Sequence, residues 1–191
     1  CVTRRQRQMC IRDRTVTADF YSTLTPITDS TFDNGIIAHE WGHFIQNRIV
    51  GNANGLINFQ GRALGEGWSD FHTLMLFVDE YHKDLEGNAQ FEAAYAGTSH
   101  SMNFFNGIRR APYSTNMEIN PLTLQHILDG AQPPGLSPTS NASPHAAGEV
   151  WAAMLWDVYV GLLNTYEFNE AQNRMATYLV GGSKMTPVGP T

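Results

Sequence analysis

His39-Glu40-Trp41-Gly42-His43 lies inside a stretch, Asn34 to Val50, whose apolar residues Ile37, Phe44, Ile45 and Ile49 recur at helical spacing, with Asp33 or Asn34 placed to cap its start. The pattern predicts a helix. On a helix, positions i and i+4 share one face a turn apart, so two imidazoles converge on a single tetrahedral cation and Glu40 reaches a water held there. A second signature, Gly65-Glu66-Gly67-Trp68-Ser69-Asp70, follows, with Glu66 23 residues beyond His43. It falls on a second predicted helix, Ala63 to His82, after a turn-rich connection, Gly51 to Gly61, long enough to bring the chain back antiparallel. Glu66 offers the third protein ligand that a catalytic zinc needs beside one open position. Asp70, at i+4 from Glu66, shares its face and is placed to accept the remaining N–H of a ligand imidazole, His39 in the first instance. Gly65 and Gly67 are expected in the first turn, and since each costs about 1 kcal/mol relative to Ala inside a helix, the pair points to close backbone approach by a neighbour.

The rest of the chain reads as more helix joined by loops. Val150, Met154, Val158 and Leu162 recur every four residues, with Trp151, Leu155, Tyr159 and Leu163 beside them. So broad an apolar face requires burial. Ser143 is placed to cap this third helix and Pro144 takes its first position. A fourth helix is expected over Asn169 to Val180, stopped by Gly181 and Gly182. Pro121 to Leu128 reads as a short helix, Gly97 to Met117 and Asp129 to Pro144 as loops, and Thr15 to Asp33 as extended chain with one short strand.

Composition narrows the function classes. With 191 residues and 42% hydrophobic content the chain fits one globular domain. Its longest apolar runs, such as Leu74 to Val78, fall far short of the roughly 18 residues of a bilayer span, so no membrane partner is expected. The net charge of −6 hides a split: residues 1–14 hold five Arg, one Asp and both cysteines, while the other 177 residues carry seven cations against 17 anions. That acidic body argues against a nucleic-acid partner and, lacking cysteine, offers neither a disulfide nor a thiolate metal site. Within residues 1–14, Arg5 to Arg14 (RQRQMCIRDR) resembles a translated sequencing adapter, so this segment is read as a non-native tail and residues 15–191 as the domain.

H-E-W-G-H followed by G-E-G-W-S-D resembles the fungalysin-type secreted metallopeptidases, relatives of thermolysin in the gluzincin group. Residues 107–116 (GIRRAPYSTN), 120–123 (NPLT) and 145–152 (HAAGEVWA) resemble the same family in the same order. The resemblance covers roughly Phe32 to Thr191. It implies a mainly α fold, the helical C-terminal lobe of a thermolysin-like catalytic domain with little of the β-rich N-terminal lobe, incomplete at both ends. It implies one catalytic Zn2+ ligated by His39, His43 and Glu66, with Glu40 as general base and His145 facing the oxyanion.

Arg109 and Arg110 become substrate-binding candidates on the same resemblance, Arg109 favoured. Thermolysin-type enzymes also place a Tyr a little before the third ligand; residues 55–59 (GLINF) have none, leaving Tyr113 as the substitute donor. A helix N-terminus disfavours an imidazolium at His145, whereas an oxyanion benefits from one, so Glu149 at i+4 is expected to pair with His145. The implied activity is hydrolysis of peptide bonds in proteins or peptides by an extracellular zinc metalloendopeptidase, made with an N-terminal propeptide. Calcium is compatible with such a family but has no D-x-[DN]-x-[DN]-G loop to occupy here. The alternative is a zinc-binding but inactive fragment or interaction module. His72, His82, His100 and His126, with no partner at ligand spacing, are read as structural or surface residues.

Overall fold

A computed structural model describes residues 29–100, 105–136 and 141–190. Four helices dominate: α1 (Asn34–Ile49), α2 (Phe59–Phe77), α3 (Pro144–Leu163) and α4 (Phe168–Met185). Among the described residues the β structure is a single antiparallel bridge, Tyr95 to Tyr113, so the mainly α expectation holds. The strand expected within Thr15 to Asp33 falls largely outside the described residues, and Ser30–Phe32 forms one 3-10 turn.

Local chemistry sets the helix ends. Asp33 caps α1, its side chain accepting from Gly35 N at 2.8 Å. After Ile49 the chain reverses through Val50–Ala53, where Gly51 and Asn52 take positive φ of 56° and 54°. α2 starts four residues before the predicted Ala63, because Asn58 caps it by accepting from Gly61 N at 2.7 Å. It stops at Phe77, short of His82, because Asp79 caps a new 3-10 turn, Glu80–Asp84, and its own N–H is taken by His82 Nδ1 at 3.2 Å. Pro121 to Leu128 shrinks to one such turn, Leu124–Ile127. α4 runs through Gly181 and Gly182 to Met185. Neither glycine has a positive φ, and without that reversal a glycine weakens a helix but does not end it.

α2 is the central element, packed between α1 and α3. Glycines permit the close approach. A Cβ on Gly42 of α1 would lie 2.8 Å from Ser69 Cα, and one on Gly148 of α3 would lie 2.7 Å from Glu66 Cβ and 2.9 Å from Gly67 N. Gly67 is correspondingly tight, its Cβ position 2.5 Å from Gly148 O, whereas Gly65 would meet Leu56 at an ordinary 3.4 Å. Of the two glycines singled out by sequence, Gly67 carries the contact, and both sit beyond the first turn of the lengthened helix.

Phe71 of α2, Trp156 and Tyr159 of α3 and Met175 of α4 form the centre of the core, each at most 1% exposed. Burying side chains of this size stabilises by about 1.5–3 kcal/mol apiece. The buried side of α3 is rotated from the predicted stripe: Val150 is buried, but Met154 and Val158 are 44% and 52% exposed. By length and apolarity alone α3 could cross a membrane, with mean hydropathy 1.2; here 56% of that window is buried, as befits a core helix.

Candidate metal centre

His39 and His43 from α1 and Glu66 from α2 bring one donor atom each within 4.8 Å of one another. His39 Nε2 lies 3.3 Å from Glu66 Oε2, and His43 Nε2 lies 3.5 Å from Glu66 Oε1. Two donors each about 2.0–2.1 Å from a tetrahedral zinc stand about 3.3 Å apart, so the spacing suits that ion. Exposure is 4%, 9% and 6% for His39, His43 and Glu66. His43 Nε2 is buried yet has no hydrogen bond of good geometry among the described residues, an arrangement costly for a nitrogen without a ligand. Two imidazoles and a carboxylate, one nitrogen orphaned, fit a zinc ion.

Beside His39 and Glu66, Asp70 gathers three groups. Its Oδ1 lies 2.8 Å from His39 Nδ1. Arg109 donates to it through Nε at 2.6 Å and Nη2 at 2.8 Å, and the Tyr113 hydroxyl donates to Oδ2 at 2.5 Å. Burial opposes ionisation of Asp70, but the Arg109 charge and the His39 contact outweigh it and hold the carboxyl well below its usual range. Glu66 is likewise held low, against burial, by His39 and His43. Burial also opposes charge on His39, yet hydrogen bonds to Asp70 and Glu66 and the Asp70 charge raise it from 6.5 to about 9 when no metal competes. Burial and the neighbouring Asp70 charge push the Tyr113 hydroxyl well above its ordinary value, so it keeps its proton and donates.

These contacts commit four of the side chains singled out above, Arg109, Tyr113, Arg110 and Glu149, to partners within the protein. Arg109 is 8% exposed, with Nε and Nη2 committed to Asp70 and Nη2 also 3.5 Å from Glu66 Oε2, so it supports the ligand shell. Tyr113, 3% exposed, spends its hydroxyl on Asp70 and is not a free oxyanion donor. Arg110 is engaged as well: Nε, Nη1 and Nη2 donate to Glu149 Oε2, Asn141 Oδ1 and Ala146 O. Glu149 therefore belongs to Arg110 and not to His145. His145 itself opens α3 at the rim of the site, its side chain 44% exposed and Nε2 3.5 Å from Glu66 Oε1. Glu40, next to His39 on α1, is half-buried.

Sequence reasoning missed Asn141, 1% exposed, and the Arg110–Glu149 pair. The signal was available in part: a carboxylate on the apolar, buried side of α3 requires a cationic partner, and the 177 residues after Arg14 hold seven cations.

A helical lobe that sets two histidines a turn apart on one helix and a glutamate on the next, their donor atoms within 4.8 Å of one another, presents the donor set of a metallopeptidase site. The chain matches the family described as Fungalysin metallopeptidase (M36) over residues 15–188 and belongs to that family. It is 33% identical over 150 residues to an extracellular metalloproteinase of Aspergillus fumigatus, covering 77% of this chain and 21% of that protein. Similar relatives are extracellular metalloproteinase 2 of Trichophyton tonsurans, 32% identical with 84% and 23% covered, and extracellular metalloproteinase 10 of Coccidioides posadasii, 30% identical with 78% and 22% covered. The chain thus spans about a fifth of the length of the curated relatives it matches.

Proposed function

We propose that the protein to which this chain belongs is a secreted zinc metalloendopeptidase acting on proteins or peptides. The observation that carries the proposal is the Glu66 carboxylate 3.3 Å from the His39 imidazole and 3.5 Å from that of His43, the three donors lying within 4.8 Å of one another, backed by Asp70. Zinc held by these three side chains would polarise the scissile carbonyl and acidify the attacking water. Glu40 takes the proton from that water and passes it to the leaving amine, one carboxylate serving as base and then as acid. Asp70 keeps the His39 ring turned towards the ligand point, and Arg109 and Tyr113 hold Asp70 in turn. His145, exposed at the rim, faces the oxygen on which negative charge develops; a preorganised donor of this kind is commonly worth about 2.7–4 kcal/mol. Export is supported by the names of the relatives, all extracellular metalloproteinases.

The test is metal analysis of the full-length protein together with a quenched-peptide assay, with and without chelator. Glu40→Gln should retain one zinc and lose cleavage. Stoichiometric zinc missing from the wild type, or full activity in the Glu40 variant, would refute the reading.

A further inference from the structure

Arg110 plays no part in the mechanism above, yet it is among the most fully engaged side chains described. Its side chain is 6% exposed. The backbone N–H donates to Glu149 Oε1 at 3.0 Å, Nε to Glu149 Oε2 at 2.5 Å, Nη1 to Asn141 Oδ1 at 2.9 Å and Nη2 to Ala146 O at 2.8 Å. Asn141 in turn donates to Leu128 O at 2.7 Å and Ala131 O at 2.6 Å. One guanidinium thereby joins three pieces of chain: the loop that supplies Arg109 and Tyr113, the turn at 128–131, and the start of α3.

Ser143 occupies the N-cap position but makes no side-chain cap bond. Further along, α3 is locked on α2 by Trp151 against Gly67 and Trp68 and by Tyr159 against Phe71, whereas its first turn precedes those side chains and meets α2 through the backbone of Gly148 against Glu66 and Gly67. The imidazole of His145 is itself held by a long 3.5 Å approach from Ser143 Oγ to Nδ1. Where that ring sits is therefore decided by the orientation of the first turn of α3. Ala146, whose carbonyl Arg110 binds, is the next residue; Glu149 lies one turn on, on the same side of the helix as His145.

We propose that Arg110 is a positioning residue for His145. Its forked bonds to Glu149 and Ala146 O hold the first turn of α3 so that the imidazole stays beside Glu66 at the rim. The planar fork is what the job requires, because three acceptors in different directions are reached from one rigid group; a lysine ammonium keeps the charge but not that geometry. The proposal rests on the reading of His145 as the oxyanion donor.

A double-mutant cycle in the full-length protein tests it. Arg110→Gln is expected to lower kcat on the order of tenfold to a hundredfold, the scale of a misplaced catalytic group, while zinc content stays at one and KM stays within about twofold. On a His145→Ala background the same substitution should change nothing further; an equal loss in both backgrounds overturns the proposal, since a merely structural arginine would act without His145. Arg110→Lys, which keeps a buried cation beside Glu149 should the glutamine variant fail to fold, is expected to show the same kcat loss, and full rescue by lysine overturns the role of the fork.

A second readout needs no turnover. The rate of carbethoxylation of His145 by diethyl pyrocarbonate, followed by peptide mass, should rise in both Arg110 variants. An unchanged rate overturns the proposal even if the protein proves to hydrolyse nothing. If His145→Ala alone leaves kcat intact, the oxyanion reading fails, and the modification rate still decides whether Arg110 holds the ring.

Discussion

Gly148→Ala should damage the metal centre from a helix that supplies none of the three ligands. The new Cβ would stand 2.7 Å from Glu66 Cβ, 2.8 Å from Ala63 O and 2.9 Å from Gly67 N, where ordinary contact begins at 3.4 Å. Two of those atoms are backbone and the third is the root of a ligand side chain, so no flexible tip can swing aside. Relief requires α2 and α3 to separate by about 0.7 Å. Metal sites tolerate roughly 0.2 Å in ligand distance, so a shift of that size at Glu66 should weaken zinc binding well beyond tenfold. Overpacking costs about 1–3 kcal/mol, offset by up to about 1 kcal/mol of helix propensity gained from alanine. The expected net loss of about 1–2 kcal/mol corresponds to a fall in Tm of roughly 2–8 °C. Gly161→Ala in the same helix is the control: its Cβ would meet nothing within 4 Å, so it should stabilise by about 0.5–1 kcal/mol and leave zinc binding alone. Zinc affinity by chelator competition and Tm by calorimetry read both effects. A Gly148→Ala protein that binds zinc as tightly as wild type would refute the claim that these helices are in backbone contact at Glu66.

Asp70→Asn removes the charge that Arg109 and Tyr113 bind, leaving the buried guanidinium only its 3.5 Å approach to Glu66; we expect a loss of about 3 kcal/mol in unfolding free energy and a 10- to 100-fold drop in zinc affinity, by denaturant titration and chelator competition. Stability of the metal-free protein should depend on pH at both ends. His39 is raised from 6.5 to about 9, so its contribution is complete below about 6.5 and lost as pH climbs through about 9, whereas the lowered Glu66 and Asp70 contribute above about 4 and fail as pH falls further. Zinc should abolish the alkaline loss, since the bound imidazole is already deprotonated. A metal-free Tm that stays flat from pH 6 to 9 would contradict this assignment.

The parts of the fold legible in the sequence are those encoded within a turn or two of helix. His39 and His43 share a face because four residues make about one turn, and Asp70 falls beside Glu66 for the same reason. What escaped was set by partners far along the chain or by single caps. Arg109 reaches Asp70 across 39 residues, and Arg110 reaches Glu149 across the same separation, so neither pairing leaves a periodic trace. The ends of α2 depend on Asn58 and Asp79 winning local competitions for backbone N–H groups that propensity does not rank. The run of α4 through two glycines shows the converse, a breaker residue with no reversal demanded of it.

With Gly42 laid on Ser69 and Gly148 on Gly67, the first three helices form a slab whose members touch spine to spine. Beside the donors the His145 ring, 44% exposed, marks a side that these contacts leave open. A cation that reaches the donors from that side passes the His145 ring on its way, so a change at residue 145 touches metal exchange as well as the site itself.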